Sequence, residues 1–292
     1  MNPIAFESLT LQERGHARGG TFRYYDLLHG SEGSPDNFYL SIGVLGGDFV
    51  SPRHRHNFDQ VRFQLEGTCD FASDGTMRPG SIAYFPEGTR YGPQKSIDSR
   101  TLTLVLQMGG PSGNGYMSER EFQHGLTELK AQGRFENGVF TRVEPDGGRI
   151  NQDAYEAVWE HVNGRKLVYP KERYTRAVFM EPQNFSWVPT GAGVAIKPLG
   201  VFNERGTTIA FHRLDSGAKM QLKERSLWFV WSGAGDAGGQ AWRRWTTMQT
   251  ETGEHPEIEA TGLSEILRIG FPMAGNGLVA RAPRPKPSVT QA

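Results

Sequence analysis

The sequence predicts an all-β protein of two barrel- or sandwich-like domains joined by a short helical connector, and three observations carry that prediction. Short runs rich in β-branched and aromatic residues, NFYLSIGVLG, QVRFQL, SIAYFP and RTLTLVLQM, lie between turns, and 37 glycines and 17 prolines scattered over 292 residues supply those turns. Between residues 38 and 108 no amphipathic stretch is long enough for the crossover helices of a parallel sheet. The strand pattern then pauses and resumes in TRAVFM, GVAIKPLG, TTIAFHRL, LWFVWSG, AWRRWTTM and LRIGFP. VRFQLEG ending at Gly67 and SLWFVWSG ending at Gly233 share an outline 166 residues apart, a weak internal repeat.

The elements divide into a first β-domain over residues 1–116, a helical connector over 117–170, a second β-domain over 171–280 and a tail over 281–292. In the connector, Ser118 with Glu121 forms a capping box ahead of Phe122, Leu126 and Leu129 at helical spacing. A second helix begins at Asp153, carries Tyr155, Val158, Trp159 and Val162, and stops at Gly164. The tail RAPRPKPSVTQA is basic, proline-rich and poor in large apolar groups, so it adds no core.

Lysine plus arginine equals aspartate plus glutamate at 32 each, so net charge gives no reason to expect nucleic acid or an anionic membrane as partner. A small-molecule partner fits better. The lone Cys69 has no mate in the chain, as in a reducing compartment, and neither an export signal nor a membrane-spanning run is seen; the expected location is cytoplasmic. A homodimer is plausible for sheets of this kind, though no residue demonstrates it.

The stretch HRHNFDQVRFQLEG, residues 54–67, concentrates the chemistry. Side chains two apart on a strand share a face, so His54 and His56 bring two imidazoles side by side, either to hold a metal ion or as a solvated pair at a strand edge. Alternation places Gln60, Arg62 and Gln64 on one inner face, with Val61, Phe63 and Leu65 against a partner sheet. Arg62 is then an anchor for a substrate carboxylate or enolate, or else an ion-pair partner of Glu66 or Asp59. Phe58 and Asp59 fall in the intervening turn. The Tyr84 hydroxyl points either into the cavity or outward.

The intervals resemble the two motifs of the cupin superfamily. His54, His56 and Gly67 match the first motif, and Gly80, Pro86 and Gly88 match the second at their spacings, over about residues 46–95. Gln60 stands in the usual glutamate position, Tyr91 in the third histidine position, and Lys95 where an asparagine often follows. The resemblance implies two cupin-type double-stranded β-helix (jelly-roll) barrels, a bicupin. It also implies a divalent transition metal, iron first and manganese, nickel or zinc otherwise, held by His54, His56, Gln60 and Tyr91. Three neutral ligands supply no negative charge unless Tyr91 ionises, which lowers the expected affinity.

At the matching intervals before Gly233 stand Met220, Leu222 and Ser226, so the second barrel is expected to hold no metal. His255, His212 and the tryptophans at 228, 231, 242 and 245 read as solvated, core or edge residues. No nucleophile elbow or phosphate loop occurs, and Cys69 lacks a basic neighbour. The leading functional expectation is a metal-dependent dioxygenase or other oxidoreductase acting on a small oxygen-chelating or carboxylated substrate, with Arg62 orienting it and Tyr91 as weak ligand or proton donor. A non-catalytic binding module and a metal-dependent or metal-free isomerase are the alternatives.

Overall fold

The structure is a computed structural model that describes residues 1–15, 21–34, 36–47, 49–136, 138–144 and 146–271. The tail assigned to 281–292 lies outside the described residues, as does the end of the second domain beyond Phe271.

Each half of the chain folds as a large antiparallel sheet facing a small one. In the first, seven strands run in the order Leu11–Gly15, Thr21–His29, Phe38–Gly46, Arg100–Met108, Asp59–Glu66, Ile82–Phe85, Val178–Met180, opposite a four-stranded sheet containing Gln94–Ser96 and Cys69–Asp70. In the second, six strands include Thr208–Leu214, Ser264–Gly270 and Ser226–Ser232, opposite four strands that include Lys219–Gln221 and Glu257–Ala260. These are two jelly-roll barrels.

Alternation along the central strands explains how the barrels meet. Val61, Phe63 and Leu65 point out of the first barrel, together with Leu40, Ile42, Leu104 and Leu106 of its neighbouring strands, into one buried cluster. That cluster also takes in Phe211, Leu227, Phe229 and Leu267 of the second barrel. The sheet expected opposite Val61, Phe63 and Leu65 is thus the other barrel's sheet and not the small sheet of their own. Phe63 makes edge-on ring contacts with Phe211 at 5.7 Å and Trp231 at 4.9 Å. Truncating a phenylalanine in such a setting costs about 3–5 kcal/mol, so this seam is a principal source of stability.

The halves also exchange edge segments. Val178–Met180, within the range assigned by sequence to the second domain, pairs with Ile82–Phe85 of the first. Ile4, near the start of the first, exchanges backbone hydrogen bonds of 2.8 and 2.9 Å with Thr247 of the second.

Between the barrels in sequence lies an insert with more than helices. Helix α1 (Glu119–Lys130) begins at Ser118 with both bonds of the capping box formed, and α2 (Ala154–Asn163) is capped by the Asp153 carboxylate and stopped by left-handed Gly164. A three-stranded sheet, Gly133–Glu136, Val139–Val143 and Arg149–Asp153, separates them. Its strands are largely exposed, with no run of alternating apolar residues to announce them. The helices meet at Gly125, where a Cβ would lie 2.5 Å from Val162 Cγ2.

Candidate functional site

The two motif segments are stitched together at the barrel's mouth by backbone. His54 and Tyr91 form an isolated antiparallel bridge, and Gly88 N–H donates to the His56 carbonyl at 2.8 Å. Two motif glycines are required by this geometry: Gly67 has φ +65° and Gly88 φ +80°, and an added Cβ would sit 2.6 Å from the Arg100 and Pro170 carbonyl oxygens respectively.

This brings the expected site residues together. The His54 and His56 ring centroids are 4.8 Å apart, and Tyr91 lies 4.6 Å from His54 and 5.7 Å from His56. His54 Nδ1 is 2.7 Å from the Pro52 carbonyl, which can only accept, so Nδ1 carries the proton of that bond. Phe58 stacks on His56 at 4.5 Å and walls the pocket.

Arg62 dominates the interior. Its Nε and Nη2 donate to Gln60 Oε1 at 3.1 and 2.8 Å, its Nη2 also to the Tyr91 hydroxyl at 2.9 Å, and its Nη1 to Gln94 Oε1 at 2.7 Å. The guanidinium lies 4.5 Å above the Phe85 ring, and the residue is 8% exposed. Every one of these partners is neutral, and among the described residues no carboxylate is within ion-pair distance of it.

The two acidic partners considered from sequence are engaged elsewhere. Glu66 faces Arg100 at 3.8 Å. Asp59 begins the Asp59–Glu66 strand and turns away from the cavity, accepting from the Tyr84 hydroxyl, the Glu87 amide and Asn203 Nδ2 at 2.7, 2.8 and 2.8 Å. That places the Tyr84 hydroxyl outside the cavity, in a polar network on the seam between the barrels. Burial raises the Asp59 carboxyl's pKa despite these donors. Glu87, whose side chain is fully buried, joins the network through Ser112 and Arg173, and burial with the Asp59 charge pushes it up to about 7.

The cavity measures about 230 Å³ and is bounded by His54, His56, Gln60 and Arg62 on the strand side and by Phe122 and Tyr155 of the insert on the other. The Tyr155 hydroxyl donates to Asn57 Oδ1 at 2.8 Å, tying α2 to the motif loop. Arg14 pairs with Glu119 at 2.5 Å along the same wall. Sequence reasoning missed Gln94, Tyr155 and Arg14. Alternation was a signal for the first: Lys95, in the position often held by asparagine, is exposed, which turns its neighbour Gln94 inward.

Whether these residues suit a divalent ion is a question of donor chemistry. Two imidazoles are present, but among the described residues no group of three His, Cys, Asp or Glu side chains is placed to hold a metal. The remaining two oxygens, on Gln60 and Tyr91, both accept from Arg62. A dication drawn to those two oxygens would lie beside the guanidinium and be repelled by it. The residues do not fit a four-ligand divalent centre.

The second barrel differs. Leu222 is in its apolar core and Ser226 accepts from Arg268 Nε at 3.0 Å. His212 lies 5.3 Å from Trp228 beside a more open cavity of about 670 Å³, its pKa lowered to about 4 by burial and by Arg268. His255 is exposed. Trp228 and Trp242 are core, Trp231 faces the seam, and Trp245 meets Phe6 edge-on at 5.0 Å.

Two cupin-type barrels in one chain make this a bicupin by fold. Solved structures agree: a candidate dioxygenase from Nostoc punctiforme superposes with a TM-score of 0.60 at 12% identity over 97% of this chain and 87% of its own. Oxalate decarboxylase from Bacillus subtilis gives 0.53 at 10% identity over 92% and 76%; its Mn(II) centres have been characterised. No protein-family model matches the chain. Over 111 residues it is 27% identical to an N-acetylneuraminic acid outer membrane channel protein of Escherichia coli, a stretch covering 37% of this chain and 46% of the relative. No helix among the described residues is long and apolar enough to cross a membrane.

Proposed function

We propose that the first barrel is the working site of an enzyme that binds a small carboxylated or enolisable oxygen substrate, with Arg62 as its anchor. The observation that carries this reading is a buried guanidinium bonded only to neutral groups. Burying a charge without a counter-charge is costly, and a carboxylate bound in the adjoining cavity removes that cost through charge-assisted bonds. The cavity, at about 230 Å³, suits a molecule of a few carbons, and Phe58 and Phe122 keep it partly apolar. With the carboxylate on Arg62, the substrate's neighbouring carbon lies toward Tyr91 and the histidine pair. These groups handle a proton at that carbon or at the adjacent oxygen, an isomerisation or exchange reaction.

A second reading, a metal-dependent dioxygenase or related oxidoreductase using iron or manganese, is favoured by one observation. The His54 Nδ1 contact with the Pro52 carbonyl is the support a ligating histidine uses. It requires Arg62 to release Gln60 and Tyr91.

The test is deuterium incorporation at the α-carbon of a panel of small 2-oxo and 2-hydroxy acids in heavy water, followed by NMR. Exchange by wild-type protein that falls at least tenfold in Tyr91→Phe supports the first reading. Substrate-dependent oxygen consumption supports the second, and binding of a carboxylate with neither activity leaves a binding module.

A further inference from the structure

We infer that Arg62 has taken the place of the metal ion, so that the first barrel works as a metal-independent pocket with a resident organic cation. This rests on the proposed carboxylate reading for its purpose but not for its test. The guanidinium satisfies the two oxygen positions that a metal would draw on, through bonds of 2.8 Å to Gln60 and 2.9 Å to Tyr91. It is held there by a third acceptor, Gln94 at 2.7 Å, and by ring faces on Phe85 and Tyr91 at 4.5 and 5.2 Å. Gln94 belongs to the small sheet and Gln60 to the large one, so the fork spans the barrel from wall to wall.

The substitutions make sense as a set. A glutamate at position 60 beside Arg62 would neutralise the guanidinium internally. Glutamine keeps an acceptor for the fork while leaving its charge to be met by a ligand. An imidazole at position 91 would offer a metal a nitrogen and, when charged, would repel the guanidinium. A tyrosine hydroxyl accepts from it instead.

The distinction from a merely weak metal site lies in what removing the cation does. If Arg62 excludes the ion, deleting its charge frees Gln60 and Tyr91 beside the two imidazoles, and the pocket gains affinity for divalent cations. If the ligand types alone are at fault, the gain does not appear.

The experiment is elemental analysis of untagged wild type, His54→Ala and Arg62→Met after equilibration with Mn(II), Fe(II) under reducing conditions, or Zn(II), with Co(II) absorption titrations on each. Wild type is expected to retain no more metal than His54→Ala, and Arg62→Met to bind Co(II) at least tenfold more tightly than wild type with a new ligand-field band. Tyr91→His with and without Arg62→Met guards against poor folding of the single variant: only the double variant is expected to load. Near-stoichiometric metal in wild type that is lost in His54→Ala would overturn the inference. So would Tyr91→His loading with Arg62 intact, or Arg62→Met binding Co(II) no better than wild type. A metal-poor wild type that fails to bind acetate would instead defeat the carboxylate reading and leave the exclusion of metal standing.

Discussion

The two barrels place an arginine beside an aromatic ring in their interiors, yet they use it differently. In the first, Arg62 lies over Phe85 and meets only neutral acceptors. In the second, Arg268 lies 5.6 Å from Trp228 and pairs with Glu224. Counting back from the matching glycines puts Arg62 and Trp228 in the same place, and the ladders put Val105 and Arg268 opposite them. The arginine thus stands on different strands in the two barrels, and only in the second does it have a carboxylate partner. The first cavity is roofed by the insert, whereas the second is lined by a His212 whose pKa burial lowers to about 4 and, among the described residues, by none from the insert. One barrel keeps an arginine among amide and phenol oxygens beneath the insert, and the other gives its arginine a carboxylate partner beside a more open cavity.

The largest effect is expected where the barrels are least separable. Phe63→Ala should cost about 3–5 kcal/mol in urea unfolding and keep a single transition, because the side chain belongs to a core shared by both. Two resolved transitions would show barrels that fold independently. Next comes the seam's polar network. Glu87 is raised from 4.5 to about 7, so between those values the folded protein holds a proton that the unfolded chain has released. Stability should then decline by up to about 3 kcal/mol as pH rises across that window, and Glu87→Gln should flatten the decline. Stability that rises with pH there would mean that Arg173 outweighs burial.

Much of the architecture was legible because it depends on local rules. The Ser118 capping box, the Gly164 stop and the alternation of polar and apolar side chains along the Asp59–Glu66 strand, which is buried on both faces, follow from side-chain chemistry at short range. The spacing of His54, His56, Gly67, Gly80 and Gly88 pointed to a segment whose two histidines line the first barrel's cavity. What escaped notice depends on long-range pairing: Gln94 reaching Arg62 across 32 positions, Tyr155 reaching Asn57 across 98, and Asp59 bound by Asn203 across 144. The sheet inside the insert was hidden for another reason, since its strands bury too little to impose an alternation.

Two smaller predictions sharpen the contrast. Arg62→Met should weaken binding of a small carboxylate roughly ten- to hundredfold, the loss of charge-assisted hydrogen bonds worth about 1.5–3 kcal/mol, while Arg268→Met leaves it unchanged. Equal losses from both would place binding outside the first cavity. Asp153→Ala, which removes the acceptor of two bonds donated by the Tyr155 and Glu156 amides at the start of α2, should lower stability by about 1 kcal/mol. Because α2 carries Tyr155 into the first cavity, it should also loosen carboxylate binding by a few-fold, and an unchanged affinity would show that the roof is not part of the site.

The most direct test of the central claim is isothermal titration of acetate and pyruvate into chelator-treated wild type and Arg62→Met, with matched circular dichroism spectra. The account predicts saturable one-to-one binding to the wild type without metal and at least tenfold weaker binding to the variant. Binding that vanishes on chelation and returns with added metal, or that is indifferent to Arg62, would contradict it.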